Sequence, residues 1–82
     1  MKLIWSPTAL KKLNRINPRD RKKAEKKAQE LIRNPLLGKQ LQGKLEDYRS
    51  LRAWPLRIIY SFDPNTQVIE IITIDYRGQV YK

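Results

Sequence analysis

Histidine and cysteine are both absent from this chain of 82 residues, and with them go whole classes of chemistry. There is no imidazole or thiolate for a Ser-His-Asp or Cys-His nucleophile system, no thiol redox couple, and no His/Cys set to hold zinc. Acids are scarce as well, eight against 18 lysines and arginines, and only Glu46 and Asp47 are adjacent. A carboxylate-only metal site therefore has little to draw on, and no cofactor is expected. No apolar run approaches the roughly 18 to 20 residues that span a bilayer, and the N-terminus lacks the charged, apolar, small order of a signal peptide. A cytoplasmic protein without a membrane partner is the expectation, and the lack of cysteine is compatible with it. The length fits one domain over residues 1–82, burying about 60% of its unfolded surface.

What is present is positive charge. The net +10 repels the chain from itself and attracts polyanions. It is unevenly spread: residues 1–57 hold 16 basic and five acidic side chains, whereas residues 58–82 hold two basic and three acidic. The C-terminal third reads as scaffold and the remainder as electrostatic surface.

Met1 to Trp5 is short, apolar and β-compatible, and it stops at Ser6-Pro7. Ser6 suits a helix N-cap and Pro7 the first helical position, with Trp5 and Leu10 placed as a hydrophobic staple. A helix is expected from Pro7 to about Ile16, with Leu10, Leu13 and Ile16 inward. Asn17-Pro18 repeats the start signal, Asp20 complements the helix dipole, and Ala24, Ala28, Leu31 and Ile32 keep a helical period up to about Asn34-Pro35. Leu36 to Asp47 reads as loop. Three β-rich runs follow, Tyr48 to Trp54, Leu56 to Phe62 and Val68 to Ile74, the last two joined by the turn Asp63-Pro64-Asn65-Thr66. Gln79 to Lys82 reads as a short edge strand. The order β-α-α-β-β-β predicts an α+β fold, a helical hairpin packed on one face of a mainly antiparallel sheet. Imperfect alternation leaves the face of each strand residue open by one register step.

Arg49, Arg52, Arg57, Arg77 and Tyr81 fall on predicted strands or strand ends, where positions are rigid. A sheet face carrying Arg49 or Arg52 together with Arg57 and Arg77 would be a positive surface opposite the helices, and the planar guanidinium fork matches phosphate oxygens. Taken singly, each is a solvated surface charge; taken as a set with the net charge, they point to a polyanion. Arg21, Lys22, Lys23, Lys26 and Lys27 read as a solvated helix face that raises encounter rates. Trp5 and Trp54 read as core or rim packing rather than base-stacking platforms, and Tyr60 as core.

Leu51 to Tyr60, then Val68 to Ile74, then Tyr76-Arg77-Gly78-Gln79-Val80-Tyr81, together with Ser6-Pro7-x-Ala9 and Leu41-x-Gly43, resemble the RelE/ParE superfamily of toxin–antitoxin toxins. The likeness covers nearly the whole chain. It implies a RelE-like fold and a compact toxin held inactive by a cognate antitoxin protein. RelE-like members cut mRNA in the ribosomal A site; ParE-like members share the fold and inhibit DNA gyrase. In the RNA-cleaving branch the functional positions map onto Arg57, Arg77 and Tyr81, with Arg49 and Arg52 as counterparts of upstream basic residues. Departures from the pattern are Trp54-Pro55-Leu56 in place of a frequent Gly-Asp-Tyr, Tyr76 in place of a frequent histidine, and Ser50 where a lysine is expected.

Cleavage of RNA by its own 2′-OH requires a base, stabilisation of phosphoryl charge and protonation of the leaving oxygen. Arginine does not lose its proton at accessible pH. Tyr81 would serve if neighbouring cations lower its pKa from about 10, with Arg57 and Arg77 stabilising the developing charge. The expectation is therefore a metal-independent, ribosome-dependent mRNA endoribonuclease that inhibits translation, the ribosome holding mRNA in line. Arg57, Arg77 and Tyr81 are its catalytic residues, and Lys39, Lys44, Arg49 and Arg52 its RNA contacts. The alternatives are a ParE-like gyrase inhibitor without catalysis and a non-catalytic RNA-binding protein of the same fold.

Overall fold

The computed structural model describes residues 1–45 and 47–76. In chain order they form β1 (Lys2–Trp5), α1 (Pro7–Arg15), α2 (Pro18–Arg33), β2 (Lys39–Gln40), a 3-10 turn (Gly43–Leu45), β3 (Arg49–Ala53), β4 (Leu56–Asp63) and β5 (Val68–Tyr76). The five strands make one sheet in the order β1-β5-β4-β3-β2. β1 runs parallel to β5 and every other pairing is antiparallel. Both helices pack on one face, as the element order predicts.

Both helices start as their sequences dictate. Ser6 Oγ accepts from the Ala9 N–H at 3.1 Å and donates to the Ile72 carbonyl at 2.7 Å, so one hydroxyl caps α1 and fastens it to β5. Asn17 Oδ1 accepts from the Asp20 N–H at 2.9 Å. Ala24 and Ala28, both fully buried, let α2 lie close to the sheet, where Leu31 meets Leu56, Ile58, Tyr60, Ile69, Ile71 and Ile74 in a single apolar cluster.

Two local expectations are corrected. Leu10 stands 46% exposed, because the buried stripe of α1 runs through Ala9, Leu13 and the cap residue Ile16, at spacings of four and three, and Leu10 lies about 100° around the helix from Ala9. The stretch expected to be loop contains β2, whose Lys39 and Gln40 pair with Ser50 and Arg49. It is held in place by Tyr60, whose buried hydroxyl donates to the Pro35 carbonyl at 2.7 Å and accepts from the Gly38 N–H at 2.8 Å. Gly38 permits that approach: a Cβ there would lie 2.6 Å from Tyr60 Cε1. The edge strand expected over Gln79 to Lys82 lies outside the described residues.

One irregularity sets the faces of the sheet. Tyr60 pairs with Ile71 and Ile59 with Thr73, so Ile72 is an extra residue in β5, a β-bulge. The core side of β5 therefore reads Ile69, Ile71, Ile74, with a step of three in a strand whose ordinary step is two.

Candidate nucleic-acid interface

With register fixed, the faces follow from alternation. Leu51 and Ala53 of β3 and Leu56, Ile58 and Tyr60 of β4 are buried toward the helices. Ser50 and Arg52, Arg57 and Ile59, and Thr73 and Asp75 occupy the opposite, open face. Arg52 stands directly across from Arg57, and Arg57 directly across from Asp75. Beyond Asp75, β1 has already ended, its last pair being Trp5 with Ile71, and α1 passes the free edge of β5. Lys12 reaches around that edge and places Nζ 2.7 Å from Asp75 Oδ2. The open face thus carries a row of four charges across three strands and a helix: Arg52, Arg57, Asp75, Lys12.

Like charges directly opposite on neighbouring strands destabilise a sheet. Arg52 and Arg57 are such a pair, and a phosphate between them would turn that repulsion into two charge-assisted contacts. Asp75 and Lys12, with side chains 24% and 38% exposed, make a half-solvated ion pair worth about 0–1 kcal/mol. The interest of that pair is its position. Beside the row, Ile59 is only 6% exposed although it lies off the helix-side cluster, and Thr73 Oγ1 is buried without a hydrogen-bond partner among the described residues.

A groove of about 730 Å³ continues from this face around the edge of β3, lined by Lys39, Ser50, Arg52 and Arg57 and, from α2, by Lys27 and Glu30. The α2 pair partly neutralises itself across 3.4 Å. The groove gathers three of the residues singled out from the sequence: Lys39, Arg52 and Arg57.

The other candidates are placed elsewhere. Arg49 pairs with Tyr60 in register and so lies on the helix side, where Nη1 donates to the Gly38 carbonyl at 2.8 Å. Of the two arginines offered for the open face, Arg52 is the one on it. Lys44 is exposed on the 3-10 turn and does not line the groove. Arg77 and Tyr81 lie outside the described residues. Tyr76, at the end of β5, turns to the helix side: its hydroxyl lies 3.3 Å from Asp20 Oδ2, which also accepts from Asn17 Nδ2 at 2.9 Å. Asp20 is thereby buried with partners, and the strand end that leads to Arg77 is tied to the junction of the two helices. Sequence reasoning missed Lys12 and Asp75. No local signal marks either one, because their meeting depends on the bulge and on where β1 stops.

Among titratable groups Tyr60 is displaced. Burial pushes its hydroxyl above the ordinary value of 10, while the Gly38 N–H and the Arg49 guanidinium pull the other way. Among the described residues no three or more acidic side chains gather as metal ligands would, and no helix is long and apolar enough to cross a membrane.

Residues 3–81 match the family profile described as ParE toxin of type II toxin–antitoxin system, parDE. The chain belongs to this toxin family. Solved structures agree with that membership. The toxin is similar to a chain of the RelBE2 toxin–antitoxin complex from Mycobacterium tuberculosis, with 28% identity, a TM-score of 0.87, and 93% of this chain and 96% of that one covered. It shares its fold with the YoeB/ParE toxin from Agrobacterium tumefaciens (24% identity, TM-score 0.81, 94% and 99% covered). The isolated E. coli RelE toxin is likewise similar in fold (24% identity, TM-score 0.78, 98% and 89% covered). A comparison with curated protein sequences finds no match. The protein is therefore a toxin of a toxin–antitoxin system with the RelE/ParE/YoeB fold: two helices on a five-stranded, mostly antiparallel sheet.

Proposed function

We propose that the toxin is a ribosome-dependent mRNA endoribonuclease that binds RNA backbone on the open face of its sheet. The observation that carries this reading is the facing pair Arg52 and Arg57, two guanidiniums directly opposed on rigid strands of a chain with net charge +10. Arg57 and Arg77 stabilise charge on the phosphoryl group, and Tyr81 acts as base or orienting group at the 2′-OH. Lys39 and Arg52 hold flanking phosphates along the groove. Lys44 and Arg49 are contacts of a second kind: Lys44 for ribosomal RNA, and Arg49 through the Gly38 segment that it steadies. Because no side chain of this composition titrates naturally near neutral pH, much of the rate comes from mRNA held in line by the ribosome.

The same surface supports a cognate antitoxin as partner. An acidic or amphipathic segment laid over Arg52 and Arg57 would block the site by charge and by volume, and complexes of a toxin of this fold with its antitoxin are known from M. tuberculosis and E. coli.

Purified ribosomes programmed with mRNA test the reading. Wild-type toxin should cut, and Arg57→Ala, Arg77→Ala and Tyr81→Phe should each slow the cut by at least about tenfold; equal cleavage by all four would remove these assignments. A second reading is favoured by the family profile itself, whose members are described as ParE toxins: a gyrase inhibitor without catalysis. Inhibition of supercoiling by purified gyrase, with programmed mRNA left intact, would decide for it.

A further inference from the structure

Trp54 is the most exposed large apolar side chain among the described residues, at 63%. This overturns the expectation that it packs in the core or at its rim; Trp5, by contrast, does pack against the core cluster. An exposed apolar residue needs no explanation in general, but the setting of this one is particular. It occupies the two-residue connection Trp54-Pro55 between β3 and β4, whose strands are locked by five consecutive register pairs from Arg49–Tyr60 to Ala53–Leu56. The ring is thus carried on a short, well-anchored tip and not on a long loop. Arg52 lies two residues before it, about 7 Å along its strand, and Arg57 lies three residues after it, past Pro55 and Leu56.

The neighbours also discriminate between partners. A protein helix or strand docks on a contiguous apolar patch. The other large exposed apolar side chains among the described residues are dispersed: Leu36 and Leu37 precede β2 beyond the far edge of β3, Leu10 is on α1, and Met1 and Ile4 are at the β1 edge. Of the described residues Tyr76, 36% exposed and across from Leu56, is the one nearby. One aromatic face beside two guanidiniums is the composition of single-stranded nucleic-acid sites, in which bases stack on rings and cations follow the backbone.

We infer that Trp54 is a stacking platform for one unpaired base of a single-stranded RNA whose adjacent phosphates lie on Arg52 and Arg57. The platform rests on the RNA reading above and adds to it a residue that positions substrate through its base instead of its phosphate. Stacking tolerates any base, so the platform fixes register along the strand without choosing sequence.

The test compares a short single-stranded oligoribonucleotide with an abasic oligonucleotide of the same length, by fluorescence anisotropy at low salt, using the full-length toxin. Wild type should bind the base-bearing strand more tightly by about fivefold to about 150-fold. Trp54→Ala and Trp54→Leu should abolish that preference while leaving abasic affinity unchanged; Trp54→Phe should keep part of it, and Arg57→Ala should weaken both ligands alike. Circular dichroism checks that each variant is folded. Equal binding of the two strands by wild type, binding of neither, or a preference that survives in Trp54→Ala would overturn the platform. So would a loss confined to antitoxin binding in Trp54→Ala, which would make the ring a protein contact. A base preference with no cleavage on programmed ribosomes would leave the platform standing and remove the nuclease reading.

Discussion

Removing one oxygen from the middle of the sheet, by Tyr60→Phe, should loosen the segment that carries Lys39. The Tyr60 ring is fully buried, and its hydroxyl bridges two backbone groups of residues 35–38 at 2.7 and 2.8 Å. Deleting it strands them unequally. Pro35 is half-buried and its carbonyl can regain water, whereas Gly38 is buried and its N–H loses the hydroxyl it donates to. One stranded buried donor costs about 1–3 kcal/mol. For a chain of this size about 2 kcal/mol lowers Tm by roughly 8–16 °C, and the urea midpoint should fall by roughly 1 M with the m-value unchanged. Gly38→Ala approaches the same contact from the other side, with its Cβ 2.6 Å from Tyr60 Cε1, and should cost about 1–3 kcal/mol by overpacking. The double variant should lose less than the sum, since both changes break one clasp. A Tyr60→Phe protein whose urea midpoint matches wild type would refute the reasoning, as would strict additivity of the two.

Four further outcomes follow. Because burial raises the Tyr60 pKa above that of the unfolded chain, its protonated form contributes stability in full below about pH 10, and that contribution is lost as pH rises through the folded value; alkaline denaturation followed by circular dichroism should lack this component in Tyr60→Phe. Arg52→Ala and Arg57→Ala should each reduce the slope of log K against log salt for single-stranded RNA by about 0.7, the value of one phosphate contact, while Lys22→Ala on the helix face leaves the slope unchanged. Asp75→Asn removes the one carboxylate from the charged row, so filter binding at low salt should show tighter RNA association, and Lys12→Gln should show weaker association. Leu10→Gln should alter stability by no more than about 0.5 kcal/mol, whereas Leu13→Ala should cost about 2–5 kcal/mol in urea unfolding, since only the second is in the buried stripe.

The helices and the last two strands are legible in the sequence because their signals are local. Ser6-Pro7 and Asn17-Pro18 announce starts within three residues, and Asp63 to Thr66 announces a turn by composition alone. β2 is hidden because its two residues, Lys39 and Gln40, carry no β signal and owe their place to Tyr60, which lies 22 positions beyond the Gly38 that it holds. The choice between Arg49 and Arg52 for the open face depends on which residue pairs with Tyr60, a fact of register that no window of β3 contains. Leu10 misleads for a different reason: a staple is inferred from spacing, but Ala9, being small, seats the helix close and turns the larger residue outward.

The bulge at Ile72 amounts to a parity bit for the end of the chain. Were Ile72 drawn into a regular ladder instead of standing outside it, the strand beyond would present Thr73 and Asp75 to the apolar core and Ile74 and Tyr76 to the open face. A carboxylate would be pressed among isoleucines, the Lys12 tether would have nothing to grip, and the tyrosine that fastens the strand end to Asp20 would point away from it. Deleting Ile72 should therefore keep Thr73 and Asp75 on the open face, at the cost of the carbonyl that accepts from Ser6 Oγ, and urea unfolding of that deletion variant checks that the fold survives. That Ile72 stands outside the ladder, more than the nature of its side chain, decides which residues from Thr73 to Tyr76 reach the open face.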